Sequence, residues 1–258
     1  MGILNLTRDS FSDGGQFFEY ENAIEQLNNL IEDGADIIDI GAESTRPGAC
    51  EIDTNSQLEK ILPILDYVNK NNIQIPISID TRNSKVAYAS LDNGASIIND
   101  VSGFEFDPDM PNVVGKFRQA KVIIQHTKGN PQDMQNNPTY NNLTDEIFEF
   151  LVEKIKLAIN CGIKKDNIII DPGIGFGKTR EHNFEILDRW QELRALNCPI
   201  IIGISRKSLL NTKNLSNHEK DIYTLALSAP LIQNGINFLR VHNVKMHRTL
   251  VDTVLLCK

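Results

Sequence analysis

The chain has 258 residues, 41% hydrophobic and 23% charged, with a formal net charge of −8, enough apolar material to bury one core without disulfides or metals. The acidic balance excludes a broad electrostatic footprint for nucleic acid, whose polyanionic backbone favours basic faces. No stretch approaches the roughly 18 to 20 uninterrupted apolar residues of a membrane span, and no basic segment with a signal-like apolar run opens the chain.

An apolar run at 3–6, holding Asn5 and followed by Thr7, predicts the first buried strand. Nothing before it would close the bottom of a barrel, so the expectation is a trimmed start or one domain of a longer polypeptide. The turn formers of Asp9-Ser10-Phe11-Ser12-Asp13-Gly14-Gly15 predict either a mobile lid or a plain connection. Ala23, Leu27, Leu30 and Ile31 then fall at helical spacing. A second strand at 37–40 carries Asp39, and Glu43-Ser44-Thr45-Arg46-Pro47-Gly48 follows. An arginine fork in that loop suits a carboxylate or phosphate.

Leu58, Ile61, Leu62 and Leu65 predict the next helix, and strands at 75–79, 97–98 and 122–124 lead into Asp80, Asn99 with Asp100, and Gln125 with His126. A helix through Ile147, Phe148, Leu151 and Ile155 precedes a strand at 168–170 and Asp171. The following segment, 171–179, looks like a phosphate loop but fails its pattern. Pro172 stands where G-x-x-x-x-G-K-[ST] needs glycine, and Lys178 where G-x-G-x-x-G needs its third, which argues against a nucleotide triphosphatase. Strands at 200–202 and 238–241 complete eight, leading into Ser205-Arg206-Lys207-Ser208 and carrying Arg240 and then His242.

Gly34, Gly94 and Gly235 each stand five residues before Asp39, Asn99 and Arg240 across one apolar run, a phrase that reads as helix stop, buried strand, polar residue. Strand and helix alternate throughout, which predicts a parallel α/β fold in one domain over 1–258. Eight strands without an edge-like member favour a (β/α)8 TIM barrel over a doubly wound sheet, and either fold gathers ligands at strand C-termini. Cys50, Cys161, Cys198 and Cys257 form no CxxC pair and read as reduced thiols of a soluble, cytoplasmic protein.

The rim has two chemical sides. Lys207, Arg240 and His242 gather cations where barrels often bind phosphate. Asp80, Asn99 and Asp171 suit a guanine-like ring, whose N–C–N–H edge donates two parallel hydrogen bonds to a carboxylate. A carboxylate pair for glycoside hydrolysis is the other reading of the acidic side.

Read in order, Asn5-Leu6-Thr7, DSFSDGG at 9–15, ESTRPG at 43–48, IDT at 79–81, IND at 98–100, DPGIGFGKT at 171–179, SRKS at 205–208 and RVH at 240–242 resemble the dihydropteroate synthase family from end to end. The resemblance implies transfer of a pterinylmethyl group from 6-hydroxymethyl-7,8-dihydropterin pyrophosphate to 4-aminobenzoate, with Mg²⁺, in folate biosynthesis, and sensitivity to sulfonamides. By position it implies that Asp80, Asn99, Asp171 and Lys207 hold the pterin, with Phe176 and Arg240 packed around it. Asn5, Arg240 and His242 would bind the pyrophosphate, Asn5 also ligating the metal. Thr45 and its loop (Ser44, Arg46, Pro47), the lid (Thr7, Arg8, Asp9, Ser10, Phe11) and Ser208 would shape the aminobenzoate pocket. Asp80, Lys207, Arg240 and His242 are the implied catalytic group. A homodimer, and fusion to a pterin pyrophosphokinase, are further expectations.

Three positions depart from the family pattern: Arg8 replaces a usual proline, Gln125 a frequent methionine, and Asn243 the aspartate that usually follows RVH. Arg8 removes a rigid φ from the lid and adds charge there. Two competing readings share part of the pattern. Another pterin-using barrel, such as a methyltransferase, has no need of SRKS, RVH or STRPG together, and a non-catalytic pterin-binding module would explain Arg8.

Overall fold

A computed structural model describes residues 1–6, 16–43, 52–130, 133–207, 209 and 215–257, the side chains of 16–19 excepted. Strand and helix alternate as β1 (Gly2–Asn5), α1 (Gln16–Glu32), β2 (Ile38–Gly41), α2 (Thr54–Lys70), β3 (Ile77–Asp80), α3 (Ser84–Asp92), β4 (Ile97–Asp100) and α4 (Met110–Gly115). They continue as β5 (Lys121–Gln125), α5 (Leu143–Asn160), β6 (Ile168–Asp171), α6 (Arg180–Arg189), β7 (Ile201–Ile202), α7 (Asn217–Gln233), β8 (Phe238–Leu239) and α8 (Val244–Leu256).

Strands β1 to β6 form one parallel sheet in chain order, and β7 pairs with β8. Single parallel bridges close the ring, Ile170 to Ile200 on one side and Val241 to Gly2 on the other. The fold is the expected TIM barrel. Residues of one parity (Ile38, Ile40, Ile77, Ile79, Ile98, Val122, Ile124, Ile168 and Ile170) join the helices in the main core. The alternate parity points inside, as a pleated strand requires. There Met1, Ile37, Ile97, Ile123, Ile169 and Ile201, with Phe238 against them, make a separate apolar layer. Side chains thus fill the lower mouth for which the sequence offered no closing element.

The glycine phrase is a repeated helix stop. Gly34, Gly94 and Gly235 have φ of +85°, +97° and +72°, and the next residue donates back across the helix end (Ala35 to Leu30, Ala95 to Ser90, Ile236 to Leu231). That is the Schellman arrangement. Gly162 repeats it after α5, at φ +93° with Ile163 donating to Ala158, a fourth case that the spacing did not show.

One expectation about strand ends is corrected. Asp80, Asn99 with Asp100, Gln125 and Asp171 are not loop residues after their strands but the last rungs of β3 to β6. Parallel pairing runs through them, with Gln125 opposite Asp171, because the ladder uses backbone groups and is indifferent to side-chain polarity. Asp39 lies farther down, in the middle of β2 opposite Ile3 and Ser78.

Candidate active site

The upper interior layer begins with inward residues at the strand ends. Glycine occupies two of these places, and a Cβ there would face Asn5 and Asp80 from Gly41, or Arg240 and Lys207 from Gly203. Space is therefore left between the polar groups.

Arg240, just beyond β8, is the hub. Its Nε donates to Asp39 Oδ2 at 2.5 Å and its Nη2 to Asp80 Oδ2 at 2.7 Å. Asp39 is wholly buried, and it also accepts from Ser78 Oγ at 2.6 Å and from Asn99 Nδ2 at 3.1 Å. A buried carboxylate without donors would carry a large desolvation cost, and these three donors offset it. Two carboxylates thus share one guanidinium. Burial pushes Asp80 up to about 7 against the pull of Arg240, and Asp39 adds to the rise. Burial works against the charge on Arg240, but Asp39 and Asp80 more than offset it and hold its pKa above the ordinary range.

Asp171 accepts from the Gly173 amide at 2.7 Å. Burial raises its pKa while Lys207 opposes the rise. Lys207 donates to the Ile174 carbonyl and sits 4.7 Å from the centre of the Phe176 ring. Burial lowers its pKa to about 8, with Asp171 resisting. Phe176 also lines a small cleft with Arg82, Val101, Phe106, Thr127 and Asn130. Gln125 is turned to its own side, donating to the Val101 carbonyl and to Thr127 Oγ1 at 3.1 and 3.0 Å.

His242 joins the neighbouring strand end, its Nδ1 2.9 Å from Ser205 Oγ while its amide donates to the same oxygen at 3.1 Å. Asn5 ends β1 beside Gly41. Ten expected site residues lie outside the described residues: Thr7, Arg8, Asp9, Ser10, Phe11, Ser44, Thr45, Arg46, Pro47 and Ser208.

Not every polar group of the expected rim belongs to this layer. Asp100 caps the following turn, accepting from the amides of Ser102 and Phe104 and from Ser102 Oγ. His126 faces Lys178. The Lys178 ammonium is fully buried, and it donates to His126 Nδ1 at 2.9 Å, to the Phe176 carbonyl at 3.0 Å and to the His126 carbonyl at 3.3 Å. Burial holds Lys178 well below its usual pKa, and burial together with Lys178 holds His126 far below its own. The pair pins the 172–177 turn, which carries the carbonyl and ring that contact Lys207. Gly173 and Gly177 fit this pin closely, since at φ +73° and +63° a Cβ would stand 1.9 Å from the His126 carbonyl oxygen and 2.0 Å from that of Lys128.

Asp39, Lys178 and Asp221 are the residues sequence reasoning left without a role. Asp39 had a local signal in the glycine phrase. For Lys178 the only signal was the glycine run, which permits close backbone approach; for Asp221, inside α7, there was none.

Among the described residues no three His, Cys, Asp or Glu side chains group as a metal site. Mg²⁺ commonly takes one or two protein oxygens and completes its shell with phosphate and water, and the Asn5 amide oxygen, 3.6 Å from where a Cβ on Gly41 would stand, is an oxygen donor of the kind it takes.

A family model described as pterin binding enzyme matches residues 1–242. A dihydropteroate synthase of Synechocystis is 42% identical over 248 residues, covering 95% of this chain and 85% of that protein. A probable bifunctional folylpolyglutamate synthase/dihydropteroate synthase of Haloferax volcanii is 38% identical over 99% of this chain, which spans only 30% of that longer protein. Among solved structures, the dihydropteroate synthase of Clostridium difficile determined with pteroic acid superposes with a TM-score of 0.92 at 37% identity, covering 100% of this chain and 95% of that one. That of Yersinia pestis with a sulfonamide drug superposes with a TM-score of 0.92 at 33% identity, covering 100% and 93%.

Proposed function

The chain belongs to the pterin-binding enzyme family, and we propose that it joins 6-hydroxymethyl-7,8-dihydropterin pyrophosphate to 4-aminobenzoate, giving 7,8-dihydropteroate and pyrophosphate for folate biosynthesis. The observation that carries this reading is Arg240 held between Asp39 and Asp80, at the boundary between carboxylates suited to the ring and cations suited to the leaving group.

In this reading Asp80, Asn99 and Asp171 accept from and orient the pterin, and Lys207 donates to it from over Phe176. The bond from the pterin methylene to oxygen breaks with its electron pair leaving on the diphosphate. The aromatic amine then forms the C–N bond and releases a proton to solvent. No protein nucleophile is required. As cleavage runs ahead of attack, positive charge spreads into the dihydropterin, where ionised Asp80 stabilises it, and Arg240 and His242 stabilise the departing diphosphate. Asn5 would hold Mg²⁺ against the diphosphate, and the ion, when bound, supplies charge neutralisation there. The loops with Thr7, Arg8, Asp9, Ser10 and Phe11, with Ser44, Thr45, Arg46 and Pro47, and with Ser208 shape the aminobenzoate pocket and exclude water, a competing acceptor. Sulfonamides compete in that pocket.

The reading extends to assembly. Residues 1–258 act as one barrel domain, which assembles as a homodimer. A pterin pyrophosphokinase in the same polypeptide would make the first substrate. Free Cys161, Cys198 and Cys257 suit a cytoplasmic enzyme, and among the described residues no helix is long and apolar enough to cross a membrane. The test is chromatographic detection of 7,8-dihydropteroate from the two substrates. Its formation supports the reading, while tight pterin binding without product would replace it with a binding module.

A further inference from the structure

Behind the cationic side lies a second ion-pair cluster that the proposed chemistry does not use. Arg206, within SRKS, has φ +58°, the left-handed region that a bulky side chain enters only under constraint. The constraint is visible. Its Nε and Nη2 grip Asp221 of α7 in a fork at 2.7 and 2.8 Å, and its amide donates to Thr224 Oγ1 at 3.3 Å. Asp221 Oδ2 also accepts from Asn243 Nδ2 at 3.0 Å. Asn243 directly follows His242, and Arg206 directly follows Ser205. One carboxylate therefore joins the residues flanking both halves of the Ser205–His242 contact.

We propose that Asp221 is a positioning residue for the diphosphate end of the site, clamping Arg206 and Asn243 so that the strand ends carrying Ser205 and His242 stay joined. The proposal rests on the functional reading above. Asp221 touches no substrate. The residue is buried at 2% exposure; burial alone would raise its pKa, yet the donors Arg206 and Asn243 bring it below the usual range. The clamp also accounts for a departure of this chain. The family usually places aspartate after RVH, whereas here the residue after RVH is the amide and the carboxylate comes from α7. Asn243 also accepts from the Met246 amide and so caps α8. Lys207 is tethered separately, through Ile174 and Phe176, so loss of the clamp should loosen the diphosphate end and spare the ring end.

The test is a charge-swap cycle of Asp221→Asn, Asn243→Asp and the double variant. Calorimetric binding of inorganic pyrophosphate with Mg²⁺ and, separately, of 6-hydroxymethyl-7,8-dihydropterin is measured well below each variant's unfolding temperature. Each single variant should weaken pyrophosphate on the order of tenfold, the penalty of small misplacement, and change pterin binding less than about twofold. The double variant, with carboxylate and amide exchanged, should return pyrophosphate affinity to within about threefold of the parent, a coupling expected only between touching residues. Unchanged pyrophosphate affinity in Asp221→Asn overturns the proposal, as do multiplied losses in the double variant or equal weakening of both ligands. A parent protein that binds pyrophosphate but makes no dihydropteroate overturns the activity alone; one that binds no pyrophosphate overturns both.

Discussion

Strands β1 to β6 are four or five residues long and laddered together, whereas β7 and β8 have two residues each and meet the arc through single bridges. The arc supplies Asp39, Asp80, Asn99 and Asp171 from within its strands, so backbone pairing fixes where those side chains start. Lys207, Arg240 and His242 come from beyond the short strands. They are held instead by side-chain contacts: Arg240 by Asp39 and Asp80, His242 by Ser205, and Lys207 by Ile174 and Phe176. The acidic side of the layer is thus built into the ladder, and the cationic side is tied on afterwards. The second half should be far more sensitive to a single side chain.

Arg240→Ala tests this most severely, because it leaves Asp39 and Asp80 buried without their cation. Removing one partner of a buried pair costs about 3–5 kcal/mol, so denaturant unfolding should show that loss and turnover should vanish. Unchanged stability would mean the arc holds its carboxylates unaided. Lys207→Ala comes next, with turnover reduced on the order of a hundredfold or more, the scale for one preorganised donor. A parental rate in that variant would remove Lys207 from the site. Lys178→Met keeps the bulk but strands three acceptors, at about 1–3 kcal/mol for a buried unsatisfied group. The expected result is a lower unfolding midpoint together with weaker pterin binding, since the 172–177 turn that supports Lys207 is released. A midpoint shift with intact pterin affinity would confine Lys178 to stability.

The smallest effect is the pH profile. Asp80 must be ionised to accept from the ring and titrates near 7, so kcat/KM rises with pH through that value. Lys207 must be protonated to donate and titrates near 8, so kcat/KM falls above it. The profile is a narrow bell, and Lys207→Arg, which remains charged, should move its alkaline limb upward. A flat profile between pH 6 and pH 9 would place the titrating groups elsewhere.

The barrel was legible because isoleucine-rich runs and helix-stopping glycines are local patterns. The strand ends were misjudged since Asp80 and Asp171 interrupt hydrophobicity without interrupting the ladder. Contacts between distant positions had no local trace at all: Asp39 meets Arg240 across 201 residues, and Asp221 reaches Asn243 from a helix that carries no motif. The motifs drew attention to Lys207, Arg240 and His242, which follow β7 and β8, yet showed nothing of what holds them there.

The most direct measurement is the stoichiometry of pyrophosphate release against dihydropteroate formed, with and without 4-aminobenzoate. The account predicts one pyrophosphate per dihydropteroate, release only when both substrates are present, and inhibition by a sulfonamide that added 4-aminobenzoate relieves. Pyrophosphate released without 4-aminobenzoate, or pterin bound with neither product formed, would contradict it.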